Sequence, residues 1–437
     1  MKQNRIPLTL LAILLVSALI LGACQQQVAP TQATEPPAQP TGDIDCTGVT
    51  SGDTVSMLYQ WSGEEEAKLT TILAPWTEAC GVTVTPESSR DQALLDTRVQ
   101  AGTPPDVAFW NVTQLSQYKD KLVDMTTLGA NVANYAGYWG EIGTIDGRWL
   151  GLPVKADVKT LIWYSPANFK AAGYVVPTTW EELDALVEKM VADGNVPWSL
   201  GMESGDATGW TGTDFIQDIL LVQQGPEYVS SIISGEISYN DAGVKEAYET
   251  YGKWAKDPKY TVAGAEGTLS TGFNDAILKV FADDPEAYMV KQSGFASGTI
   301  LGTYPDKVYG EDYDFFGVPG AKGLQGGSDW LMVFNDTPAV RSLIKYLSSD
   351  KGGQAWAQAG FDLTPNAAGN ASYSSSEAIK KAELLSSATG FTPDIGDSIP
   401  GGFGSAEFSG ITDYVNGGDL DTILSAIAAA QADAMTN

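Results

Sequence analysis

Not one histidine occurs in the 437 residues, and cysteine appears only three times. The first absence removes the commonest general base and the commonest metal ligand. With no CxxC pair either, a zinc site or a thiol redox motif has nothing to build on, and no metal or cofactor is expected. Basic residues are also scarce: 25 Lys and Arg face 54 Asp and Glu, a formal net charge of −29. So acidic a surface repels nucleic acid and anionic lipid headgroups, which excludes both as expected partners and leaves a neutral ligand open. Internal repeats are absent, as are the motifs of serine hydrolases, P-loop proteins and metalloproteases.

What is present begins at the N-terminus. Lys2 and Arg5 precede an apolar run from Ile6 to Leu21 that is short for a membrane span, which takes about 20 apolar residues. A secretory signal over residues 1–23 is the expectation. Its exit, Leu21-Gly22-Ala23-Cys24, resembles the lipobox of bacterial lipoproteins, in which the cysteine is lipidated; the other reading is an ordinary signal with an incidental cysteine. Residues 24–45, rich in Gln, Pro, Thr and Ala, bury too little to fold and read as a tether. Cys46 and Cys80 are then the remaining cysteines, in an exported context that favours one disulfide over two unlinked thiols.

The body alternates strand and helix. Val55, Met57, Tyr59 and Trp61 recur at every second position, and Ser62 with Glu65 has the spacing of a capping box ahead of Leu69, Ile72, Leu73 and Trp76. Val82–Thr85 and Asp106–Trp110 read as further strands, separated by a helix over Leu94, Leu95 and Val99. This order predicts an α/β fold with a parallel sheet, whose ligands sit at the carboxyl ends of the strands, where Trp61 and Trp110 lie. Leu161–Tyr164 predicts a buried strand, and Thr179 with Glu182 a second capping box. Val244–Ala255, Ala339–Leu347 and Leu420–Ala430 have helical spacing.

Several stretches carry a resemblance across nearly the whole chain after residue 24: Gly102-Thr103-Pro104-Pro105-Asp106, Val176-Pro177-Thr178-Thr179-Trp180-Glu181-Glu182-Leu183, Ala207-Thr208-Gly209-Trp210 and Asp397-Ser398-Ile399-Pro400. The chain resembles the family-1 extracellular solute-binding proteins of ABC importers, and among them the α-glucoside-binding branch. Thr392-Pro393-Asp394 stands where that branch usually carries a carboxylate just after the Phe391 position. The resemblance implies a two-lobed type II periplasmic-binding-protein fold with several chain crossings at a hinge. One lobe would hold 46–156 plus 292–328, and the other 157–291 plus 329–437. It also implies capture of a carbohydrate and delivery to permease subunits; a monomeric chain is expected, and the lipobox-like Cys24 would anchor it by lipid at the outer face of the cytoplasmic membrane.

A sugar presents C–H faces to flat aromatic rings and a rim of hydroxyls to carboxylates and amides. Trp76, Trp163 and Trp180 fall within helix or strand patterns and read as packing. Trp210, among Gly205, Gly209 and Gly212, reads as a loop residue free to touch ligand. Trp61, Trp110 and Trp330 are further aromatic candidates for ligand contact, although Trp61 and Trp110 could simply cap their strands. Glu65 is claimed by the helix cap, which leaves Glu64 as the ligand contact; Arg90, Asp91 and Asp329 are the other polar candidates, each of which could equally be a solvated surface charge. Paired carboxylates could instead hydrolyse glycosides, and another small polar solute could be the ligand. Binding of a carbohydrate is the preferred reading and catalysis the alternative.

Overall fold

The computed structural model describes residues 44–89 and 91–436, so Cys24 and Arg90 lie outside the described residues. Thr54–Tyr59, Thr83–Ser88 and Val107–Asn111 form strands that pair in parallel, with Thr54–Tyr59 in the middle. Helices Glu64–Cys80 and Gln92–Gln100 make the connections. Two more strands complete this five-stranded sheet: Ser328–Val333 runs antiparallel to both Val107–Asn111 and Gly151–Ala156. A smaller sheet has Leu161–Tyr164 at its centre, antiparallel to Met289–Lys291 and Asp314–Gly317. Leu161, Ile162 and Trp163 are fully buried, as a central strand covered on both faces requires.

These pairings correct the expected lobe boundaries. Asp314–Gly317 belongs to the smaller sheet, while Ser328–Val333 and the helices Pro338–Ser348 and Asp350–Ala359 pack with the larger one, sharing a core with Val55, Trp76 and Phe109. The reason is strand pairing: Ser328–Val333 satisfies the open edge of Val107–Asn111 and presents Leu331 and Val333 to that core. The chain therefore leaves the larger sheet at 156–160 and returns at 324–328. The two crossings lie side by side, with Asp157 N–H donating to the Gly327 carbonyl (3.1 Å) and Lys159 N–H to the Gln325 carbonyl (2.8 Å). A Cβ on Gly326 would stand 2.0 Å from the Asp157 carbonyl oxygen, so only glycine allows this approach.

Local signals fared unevenly. Helix Trp180–Ala192 is capped by the Thr179 hydroxyl, which accepts from Glu182 N–H at 3.2 Å. The strongest partners of the Glu182 carboxylate are one residue earlier, the backbone and hydroxyl of Thr178 (both 2.7 Å). The first expected box does not form: the helix starts at Glu64 with Gly63 as its cap and no side-chain cap bond. Its far end, Cys80, is disulfide-bonded to Cys46 with a Cα–Cα distance of 5.4 Å. The C-terminal helix Leu420–Thr436 docks Ile423, Leu424 and Ile427 into the core of the smaller-sheet lobe, together with Phe215, Tyr251 and Trp254. Among the described residues no helix is long and apolar enough to cross a membrane.

Candidate ligand-binding cleft

A cavity of about 690 Å³ opens where the crossings meet both lobes. Lys155, Asp329 and Asp362 line it from the larger-sheet side, Asp157 and Gly327 from the crossings, and Phe295 and Lys381 from the other lobe. The volume suits a small ligand, for which pockets run from about 300 to 1,000 Å³.

Extended backbone running out of strand Gly151–Ala156 sets the polar wall. From Lys155 to Thr160 the chain alternates half-buried Lys155, Asp157 and Lys159 with buried Ala156, Val158 and Thr160. Lys155 Nζ lies 3.1 Å from Asp362, 3.3 Å from Asp329 and 3.8 Å from Glu65. Burial pulls the Lys155 pKa down, but Asp329, Asp362 and Glu65 outweigh it, so the ammonium is held above its usual range. Asp329 sits at an irregularity in strand register and is fully engaged, accepting from Gln60 Nε2 and Trp61 Nε1 (both 3.1 Å) as well as Lys155. Asp157 accepts from the Gly327 N–H, and burial raises its carboxyl pKa.

On the other lobe Lys159 bonds Asp394 (2.9 Å) and Asp214 (3.3 Å), and Gln325 Nε2 donates to both carboxylates (3.1 and 2.9 Å). Lys291 adds a cation 3.2 Å from Asp218. Burial pushes the Asp214 pKa up to about 7 against the pull of Lys159 and Lys291. Asp394, also buried but bonded to Lys159 and to Asp397 N–H, is held well below the carboxylate range. Lys159 Nζ also lies 5.9 Å from the centre of the Trp210 ring. That ring meets Phe273 at 5.3 Å and Phe295 at 6.3 Å between centroids, and Phe295 is 42% exposed.

The sequence profile of the bacterial extracellular solute-binding proteins matches residues 61–354, about two thirds of the chain. The chain belongs to that family. This solute-binding protein is 36% identical over 394 residues to the alpha-glucosides-binding periplasmic protein AglE of Rhizobium meliloti, covering 84% of each chain. It is 34% identical over 387 residues to the osmoprotective compounds-binding protein GgtB of Synechocystis sp., covering 85% of this chain and 91% of that one. Among solved structures it superposes on the bacterial solute receptor AcbH with a TM-score of 0.74 at 17% identity, covering 88% of this chain and 98% of that one. On RafE from Streptococcus pneumoniae the TM-score is 0.70 at 16% identity, over 89% and 99% of the two chains. The fold is thus the type II solute-binding fold, and the relatives are binding proteins.

Of Trp61, Glu64, Asp91, Trp110, Trp210, Asp329 and Trp330, Asp329 alone is in the lining of this cavity. Trp61 is buried, donating to Asp329 and packing on Phe109 and Phe361. Trp110 and Trp330 face each other across paired strands and are 3% and 0% exposed, so they are core residues in this solute-binding protein. Glu64 points to solvent, 85% exposed and paired with Lys68, whereas Glu65 is the one that turns to Lys155. Asp91 caps helix Gln92–Gln100 by accepting from Ala93 N–H (3.0 Å). Trp210 is not a loop residue: it is the first residue of helix Trp210–Gln223, half-buried, one step behind Phe295. Gly209 makes that start possible, with φ 117 and a Cβ position only 2.6 Å from the Phe408 carbonyl oxygen. Sequence reasoning missed Lys155, Asp157 and Asp362. The usable signal was the polar alternation Lys155, Asp157, Lys159 between the apolar runs Gly151–Val154 and Leu161–Tyr164.

Proposed function

We propose that this protein is the carbohydrate receptor of an ABC importer and that its ligand is an α-glucoside or short oligosaccharide held in the interlobe cleft. One observation carries the reading. The 690 Å³ cavity sets the partly exposed Phe295, backed by Trp210, opposite a wall of carboxylates and lysines. A ring supports a C–H face of a sugar, and charged side chains at fixed spacing accept and donate to its hydroxyls. The name of the relative AglE, an alpha-glucosides-binding protein, narrows the class in the same direction. Export, lipid anchorage through Cys24 and a permease partner complete the proposal. They rest on the N-terminal sequence and on membership of the family.

The relative GgtB, named for osmoprotective compounds, favours a second reading in which the ligand is a smaller osmolyte. A thermal-shift screen of the chain beginning at residue 25 separates the two. Maltose, sucrose, trehalose and raffinose form one arm, glycerol and glycine betaine the other. A ligand that binds only the folded state stabilises it by about 2.7 kcal/mol at a hundredfold excess over Kd. A saturable rise with at least one sugar, recovered unchanged, is the expected result. A shift with glycerol or betaine alone would favour the osmolyte reading, and turnover of the sugar would make the protein an enzyme.

A further inference from the structure

The chain leaves helix Asp350–Ala359 through Gly360-Phe361-Asp362 at the margin of the cavity. Gly360 takes the left-handed conformation as the helix cap (φ 63), and Asp362 takes it again (φ 48). Among the described residues it is one of three non-glycine residues with positive φ. Aspartate tolerates that region chiefly when its carboxylate bonds the neighbouring backbone. Here, among the described residues, no hydrogen bond ties the carboxylate to its own turn; its partner is Lys155, 3.1 Å away. The conformation is held from outside. Leu363 exchanges both backbone bonds with Ala156 (3.1 and 2.8 Å), which fixes the turn against the strand carrying Lys155. Strain that its surroundings enforce is common at ligand sites.

Neutralising Lys155 does not explain Asp362 either, because Asp329 already lies 3.3 Å away and Glu65 3.8 Å. The carboxylates also differ in what they have left to offer. Asp329 is 15% exposed and bonded on both oxygens, whereas Asp362 is 53% exposed and lines the cavity. A donor and an acceptor therefore stand 3.1 Å apart on a rigid wall, a spacing close to that of neighbouring hydroxyls on a pyranose ring.

We propose that Lys155 and Asp362 grip a vicinal diol of the ligand. One hydroxyl accepts from Lys155 Nζ and its neighbour donates to the Asp362 carboxylate. The proposal rests on the carbohydrate reading above and names the part of the sugar that the cleft recognises.

Asp362→Gly and Asp362→Asn test it, since glycine and asparagine both tolerate φ near 48 and each removes the charge. Both variants should fold with a ligand-free Tm at or above that of the parent. Each should bind whichever of maltose, sucrose, trehalose or raffinose the parent binds roughly tenfold to hundredfold more weakly, as loss of a charged hydrogen bond implies. Within the monodeoxy analogues of that sugar, at least one should bind the parent weakly and lose nothing further in Asp362→Gly. If the parent binds a sugar and both variants match it, the grip is wrong and the carbohydrate reading stands. Losses that add for every analogue would make Asp362 a remote structural residue and also overturn the grip. Silence of the parent toward all four sugars would overturn the carbohydrate reading and the grip with it.

Discussion

Glu407 is buried beside Tyr239, whose hydroxyl donates to it at 2.6 Å, while its other oxygen has no partner among the described residues. Burial, reinforced by the charge of Asp394, pushes its pKa up to about 8. The folded chain therefore holds a proton that the unfolded chain releases above pH 4.5, so this group makes stability fall as pH rises from about 4.5 to 8. Asp214, at about 7, acts in the same direction over the lower part of that window. Denaturant titrations at pH 5, 6.5 and 8 should show the decline, and Glu407→Gln should flatten it. A variant with the parent's full slope would contradict this assignment. The aromatic pair at the cleft invites a second comparison. Phe295→Ala removes a ring that is 42% exposed, so ligand affinity should fall about tenfold with little change in ligand-free Tm. Trp210→Ala also removes the contacts to Phe273 and Phe295, and should cost about 1–3 kcal/mol of stability as well as affinity. Calorimetry of the sugar and thermal melts of both variants measure the difference. A Trp210→Ala protein with normal affinity would remove that ring from the site.

Among the elements, the periodic ones were legible and the paired ones were not. Alternation found the strand Thr54–Tyr59, a short apolar run found Leu161–Tyr164, and helical spacing found Leu420–Thr436, because each of these patterns is local. Ser328–Val333 lies beside Val107–Asn111, more than 200 positions earlier in the chain, and no local pattern reports such a partner. For the same reason Trp110 and Trp330 read as ligand contacts when they are cross-strand neighbours in the core. Asp362 was invisible because its meaning lies in a backbone angle and in the distance to Lys155. The paired crossings carry a prediction of their own. Gly326→Ala places a methyl group 2.0 Å from the Asp157 carbonyl oxygen, so the crossings must separate. Overpacking of this kind costs about 1–3 kcal/mol, read as a lower denaturant midpoint; an unchanged midpoint would mean that the crossings yield freely. The Cys46–Cys80 bridge ties the start of the described chain to the end of helix Glu64–Cys80. Replacing both cysteines by alanine should cost about 2–4 kcal/mol. An unchanged midpoint in that double variant would remove the bridge from the stability of the lobe.

For the molecule as a whole, the acidic charge, the type II fold and the N-terminal sequence point to a receptor working outside the cytoplasmic membrane. If Cys24 carries lipid, Cys24→Ser should release the protein into the soluble fraction of washed cells while its sugar affinity stays the same, because every residue that lines the cavity lies at or beyond Lys155. A variant that stays with the membrane would contradict the anchor. The proposed function requires that the interlobe cleft capture a carbohydrate and leave it intact. Isothermal titration of the chain beginning at residue 25 with maltose, sucrose, trehalose and raffinose, followed by chromatography of the recovered sugar, tests it most directly. At least one sugar should bind saturably at one site per chain and be recovered unaltered. No heat of binding with any of the four, or recovery of cleaved sugar, would contradict it.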